Sequence, residues 1–166
     1  MRARSGEPPP PGGAKAAALR MLSRRDLSEG EIRERLSKKG FPHAEASATI
    51  RRLRELGLVD DPKLCARLVR SYRETRGYGS AKIAWALRGR GFSAALVEET
   101  VRELSTGEEE LDAASAALRK KFRDGLPKGR EGTAKAYRFL AGRGFPPETC
   151  RRAIGGFSFE FQEGEG

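Results

Sequence analysis

The sequence predicts an all-α protein, built as an elongated array of three tandem three-helix repeats between disordered tails. Three observations carry this. The apolar inventory is dominated by 22 Ala and 16 Leu against eight Val plus Ile, and strands prefer β-branched residues. A Gly-Phe pair recurs three times, as Gly40-Phe41, Gly91-Phe92 and Gly144-Phe145, at separations of 51 and 53 residues. Other positions keep the same register. A leucine stands four residues before each glycine (Leu36, Leu87, Leu140), and Ile32, Ile83 and Ala136 stand four earlier still. An aliphatic follows ten residues after (Ile50, Val101, Ile154), and a base precedes each glycine (Lys39, Arg90, Arg143).

Each element follows in order. Residues 1–13 are rich in proline and glycine and read as a tail. The repeats then span 14–58, 59–106 and 107–157, and an acidic tail covers 158–166. In each repeat a first helix (about 14–25, 62–76 and 108–123) precedes a second (29–39, 80–90 and 131–142) and a third (43–56, 93–105 and 147–155). Ser28 with Glu31 forms a capping box at the second helix. Asp61 precedes Pro62 at a first helical position, and Ser80 caps the fifth helix. Glu108, Glu109 and Glu110 match the dipole of a helix start. The pairs Ile32/Leu36 and Ile83/Leu87 place an apolar stripe on each second helix. The shared glycine ends that helix in a positive-φ conformation, and the phenylalanine packs back over the turn. A unit of about 50 residues is marginal alone, so neighbouring repeats complete one another's cores.

Composition excludes several function classes. No run approaches the ~20 apolar residues of a membrane helix, and no signal-peptide pattern opens the chain. Cys65 and Cys150 lie 85 residues apart without CxxC spacing, which fits small core fillers in a reducing, cytoplasmic setting. His43, the single histidine, falls on a first-turn surface position, and no zinc, His-based, P-loop or paired-carboxylate site stands out. No cofactor, metal or catalytic residue is therefore assigned, and the chain is read as a non-enzyme.

The net charge of +10 is spread over the repeats as +5, +3 and +4, which suits a polyanionic partner. Lys39, Arg90 and Arg143 share one repeat position and form a basic track, although a cation also suits any helix C-terminus. Arg70, Arg73 and Arg76 follow at three-residue spacing beside Tyr72 and Tyr78, a set that grips phosphates or acidic side chains, or else forms a solvated face. Trp85 falls opposite the apolar stripe, either as an exposed partner contact or as a plug between repeats; the plug is preferred. The chain has no asparagine and one glutamine, Gln162, so adenine readout lacks its usual amides.

Residues 56–92 carry Leu56-Gly57-Leu58-Val59-Asp60-Asp61, then Val69-Arg70-Ser71, Arg76-Gly77-Tyr78-Gly79, Ile83, Leu87 and Arg90-Gly91-Phe92. This stretch resembles the RecX family of bacterial recombinase regulators, and the resemblance extends over about 14–157. Leu64 stands where the family often has an aromatic, and Ala136 replaces the isoleucine of the other repeats. The resemblance implies a monomeric cytoplasmic protein that binds in the groove of the RecA–DNA filament. It would inhibit or modulate strand exchange and ATP hydrolysis in DNA repair, homologous recombination and the SOS response. It also implies contact with single- or double-stranded DNA without sequence preference, and no chemistry of its own. Lys39, Arg70, Arg73, Arg76, Tyr78, Arg90 and Arg143 are the candidate contacts. The alternatives are a helix-turn-helix transcription factor and a helical adaptor that never touches DNA.

Overall fold

Across residues 13–127 and 129–163, which this computed structural model describes, the chain forms nine helices and no strand. They are α1 (Gly13–Leu22), α2 (Glu29–Lys38), α3 (His43–Glu55), α4 (Asp61–Arg76), α5 (Ser80–Gly89), α6 (Ala94–Glu103), α7 (Gly107–Lys121), α8 (Arg130–Gly142) and α9 (Pro147–Glu163). Three consecutive triplets make three three-helix domains. The last helix departs from expectation. It continues eight residues beyond 155, so the expected acidic tail begins inside it. The apolar stripe carries the helix past 155 as far as Phe157, since Cys150, Ala153, Ile154 and Phe157 are all buried at helical spacing. Gly13, placed in the first tail by sequence, opens α1; the rest of that tail, and 164–166, lie outside the described residues.

The repeated glycines have a common geometry. Gly40, Gly91 and Gly144 take φ of 84°, 78° and 83°. After α2, Phe41 N–H donates to Leu36 O (3.1 Å) and Gly40 N–H to Ser37 O (2.9 Å); after α8, Phe145 and Gly144 repeat the pattern onto Leu140 and Ala141 (3.2 and 3.0 Å). This pair of hydrogen bonds is the Schellman closure, which needs a left-handed residue at the turn and brings the next apolar side chain onto the helix. Phe41, Phe92 and Phe145 are accordingly buried, as are Ile32, Leu36, Ile83, Leu87, Ala136 and Leu140 on the second helices.

The chain divides into two compact units. Unit 1 takes residues up to Leu64 with Gly89–Ser93, and unit 2 takes Cys65–Arg88 and residues from Ala94 onward. In unit 1, α1–α3 enclose a core of Leu27, Ile32, Leu36, Ile50 and Leu53. In unit 2, α7–α9 enclose Leu118, Leu140, Phe145, Cys150 and Phe157.

Each unit contains one joint between successive repeats, and both are made on backbone. In unit 1 the start of α2 lies against the Gly91 corner, so close that a Cβ on Gly30 would stand 2.2 Å from Gly91 O. Ser28 Oγ donates to Arg90 O while accepting from Glu31 N–H, and Glu31 accepts from Ser28 N–H in return. Asp61 Oδ1 accepts from Glu29 N–H at 2.9 Å, so the first residue of α4 serves the N-terminus of α2. Asp60 caps α4 itself, through Lys63 N–H. In unit 2 the start of α5 lies against the Gly144 corner. Gly79 N–H donates to Arg143 O (2.8 Å) and Ala81 N–H to Gly144 O (3.1 Å). Ser80, expected as a cap, is the first residue of α5 and donates its own N–H to Glu110 Oε1 at 3.0 Å.

Ser28 therefore caps a helix and ties two repeats with one hydroxyl. Ser28→Ala is expected to cost about 1–3 kcal/mol, the loss of a cap plus a buried carbonyl left without its donor. Urea unfolding checks this: the midpoint should fall at unchanged slope. An unmoved midpoint would show the hydroxyl to be dispensable.

Candidate functional site

In unit 2, α4, α7 and α8 frame an open cleft of about 770 Å³ that gathers Arg70, Arg73, Arg76 and Arg143 with Lys120 and Lys121 of α7. Glu74, Glu109 and Asp112 also line it. Three-residue steps rotate 300° around a helix, so the arginine row on α4 drifts rather than staying on one line. The middle member turns inward. Arg73 donates to Leu104 O and Ser105 Oγ and pairs with Glu110 at 3.4 Å; the two side chains are 13% and 5% exposed. Arg70 and Arg76 remain exposed.

Glu110 is buried rather than lining an open first turn. Burial pushes its carboxyl above the ordinary value against the opposing pull of Arg73 and of the Ser80 N–H. Its second oxygen and Arg73 Nε are buried without a hydrogen-bond partner. The true helix-start device of α7 is Thr106 with Glu109, a capping box that the acidic run Glu108–Glu110 masks although its T-x-x-E spacing is written in the sequence.

Around Arg76 the aromatics and cations interleave. Its guanidinium lies 5.3 Å from the Tyr72 ring centre and 6.0 Å from that of Tyr78, and Lys82 Nζ lies 4.8 Å from Tyr78. Gly77, at φ 60°, ends α4 and turns Tyr78 back onto Tyr72, with ring centres 6.3 Å apart. Arg143 donates to Arg76 O and rests 4.7 Å over the Phe139 ring. Thus Arg70, Arg76, Tyr78 and Arg143 share one neighbourhood, with Arg143 also fastening the joint between the second and third repeats.

Lys39 and Arg90 belong to unit 1. Arg90 reaches back to Asp26 O (3.2 Å) and pairs with Glu31 (3.0 Å), which also pairs with Arg25 (2.9 Å). Burial is the largest influence on Glu31 and raises its pKa, but hydrogen bonds from Arg90, Arg25 and Ser28 N–H prevail and hold it below the usual carboxylate value. Arg90 and Arg143 thus play matching parts, each crossing its joint to a carbonyl of the preceding repeat. Lys39 is exposed at the end of α2 and lines a second cleft, of about 470 Å³, between α1 and α2. Arg20, Arg24, Arg35 and Lys38 join it there, and no acid lines the cleft among the described residues. The i,i+4 pair Arg20/Arg24 and the run Arg35, Lys38, Lys39 are the signals a sequence offers for this cleft; it does not say which helix faces meet.

Trp85 corrects the preference for a plug. It is 72% exposed, because Ile83 and Leu87 on the other side of α5 already fill the core. Both cysteines are buried and His43 is exposed at the start of α3. Among the described residues no cluster of three or more His, Cys, Asp or Glu could hold a metal ion, and no helix is long and apolar enough to cross a membrane.

Comparison with known proteins gives a consistent result. The family models for the first, second and third three-helix domains of RecX match residues 14–53, 60–101 and 108–154. The protein named Regulatory protein RecX in Thermus thermophilus is 36% identical over 155 residues, covering 92% of this chain and 96% of its own length. Its namesake in Chromobacterium violaceum is 33% identical over 152 residues, covering 90% and 94%. In fold, the chain is similar to the crystal structure of RecX from Lactobacillus salivarius, with a TM-score of 0.78, 20% identity, and coverage of 89% and 96%.

Proposed function

The chain belongs to the RecX family, and from that membership we propose that it regulates the RecA recombinase by occupying the groove of the RecA–DNA filament, where it restrains strand exchange and ATP hydrolysis. The observation that carries this is the match of all three family domains in order over residues 14–154. Two clefts rich in arginine and lysine support a polyanionic partner. In this proposal Arg70, Arg76 and Tyr78 in unit 2, and Lys39 with Arg20, Arg24 and Arg35 in unit 1, contact phosphates or acidic side chains of the filament. Arg73, Arg90 and Arg143 hold the repeats in the form that presents them. The protein acts as a cytoplasmic monomer, without sequence preference, and by occupancy rather than by consuming nucleotide.

The direct test is strand exchange by the cognate recombinase with and without this protein; exchange should slow as the protein approaches stoichiometry with filament. Unchanged exchange, or an intrinsic ATPase or nuclease activity abolished by a point mutation, would overturn the proposal. The charges have their own readout. Replacing Arg70 and Arg76 with alanine should leave helicity intact, since both are exposed. Filament affinity should fall, and the slope of log K against log salt should shrink by roughly 0.7–0.9 for each phosphate no longer neutralised. Equal affinity and slope would reduce this face to a solvated one.

A further inference from the structure

We propose that Trp85 is a stacking platform for an unpaired nucleobase, so that α5 docks single-stranded DNA. The inference rests on the function proposed above only in taking nucleic acid as a partner. Three observations lead to it. Trp85 is the single tryptophan of the chain and is 72% exposed, although burying such a ring is among the more favourable things a fold can do with it. It stands on a well-anchored helix, because Ile83 and Leu87 of α5 are fully buried on the opposite side. The charges beside it on its own helix are positive: Arg88 and Lys82, whose Nζ also donates to Gly142 O at 3.1 Å, lie one turn away on either side, and α5 contains no acidic residue. The exposed Ala81 on the preceding turn leaves the approach to the ring uncrowded.

The alternative occupant, an apolar pocket on a protein partner, fits less well. Anchors of that kind sit within a ring of contacts that excludes water. In unit 2, Trp85 is the only exposed large hydrophobic side chain among the described residues; Leu19, Leu56 and Leu58 all belong to unit 1. An isolated π face flanked by positive charge matches a strand that offers flat bases and phosphates together. Duplex DNA keeps its bases stacked on one another and offers the ring no such face.

The lone tryptophan reports on itself. Oligothymidylate titrated into the full chain should quench its emission in step with binding, followed independently by anisotropy of a labelled strand. Trp85→Ala should weaken single-strand binding roughly 5- to 150-fold, Trp85→Phe should retain most of the affinity, and matched duplex should quench less. Circular dichroism confirms that the variants fold. No binding, binding without quenching, or equal affinity in Trp85→Ala would overturn the proposal. So would an emission shift caused by RecA without DNA but not by the oligonucleotide. Strand exchange measured with the unaltered chain stands apart from these readouts, so a failure here leaves the proposed regulation of RecA to be judged separately.

Discussion

Gly144→Ala is expected to lower stability by about 2–5 kcal/mol, a left-handed backbone cost of ~1–2 kcal/mol plus ~1–3 kcal/mol for overpacking a closed contact. Gly144 has φ 83°, and a Cβ there would stand 2.4 Å from the backbone nitrogen of Lys82. Backbone cannot swing aside as a flexible side chain can, so the start of α5 must withdraw. The bonds Gly79 N–H to Arg143 O and Ala81 N–H to Gly144 O would lengthen with it. Gly57→Ala is the control. Gly57 also has positive φ, at 68°, but a Cβ there meets nothing within 4 Å. It should lose only the ~1–2 kcal/mol of backbone strain. Thermal unfolding of the two variants side by side isolates the value of the close approach, and equal losses would deny the joint any contribution.

Arg73→Met should cost about 3–5 kcal/mol near neutral pH, since it leaves the buried Glu110 carboxylate without its counter-charge. The pH dependence gives this prediction a sign. Burial already raises the Glu110 pKa in the folded protein, and Arg73 opposes that rise. For a group raised on folding, the stabilising contribution is full below its unfolded pKa and disappears as pH climbs through the folded value. Removing Arg73 raises the folded value further. The deficit relative to the unaltered protein should therefore shrink on acidification towards about pH 5, near the ordinary carboxylate range. Adding Glu110→Gln should recover part of the loss at neutral pH by removing the stranded charge. Chemical denaturation at several pH values decides the matter, and a deficit that does not vary with pH would dismiss the charge pair as its source.

The class of fold and the register of the repeats are legible in the sequence because both rest on periodic side chains. Leu36, Leu87 and Leu140 report a helix face, and Gly40, Gly91 and Gly144 report a turn that few other residues can make. The joints are illegible because most of their partners are main-chain atoms. Arg90 and Arg143 reach Asp26 O and Arg76 O, and a carbonyl leaves no mark in composition. A basic residue before a C-terminal glycine looks the same whether it serves the helix dipole, a ligand or a neighbouring repeat. Spacing groups Arg73 with Arg70 and Arg76, and only the packing of α7 and of residues 104–105 separates it from them. Glu110 looks like its neighbours in an acidic run; its burial depends on where the start of α5 arrives. Periodicity puts Trp85 on the correct side of its helix, but it is silent about what faces that side.

The borrowed caps also imply an order of events during synthesis. The first N–H of α2 is satisfied by Asp61, and that of α5 by Glu110. Both acids belong to the following repeat and leave the ribosome after the helix that needs them. A nascent chain halted at residue 58 would carry an α2 whose Glu29 N–H is still open to water, and its Gly30 would lack the Gly91 corner that covers it in the finished protein. The first N–H of α2 and of α5 therefore gains its partner only once the following repeat has emerged. The third repeat breaks the series: α8 starts from Gly129 without a side-chain cap, and Gly132 packs against Pro127 of its own preceding loop. Its middle helix waits for no later segment among the described residues.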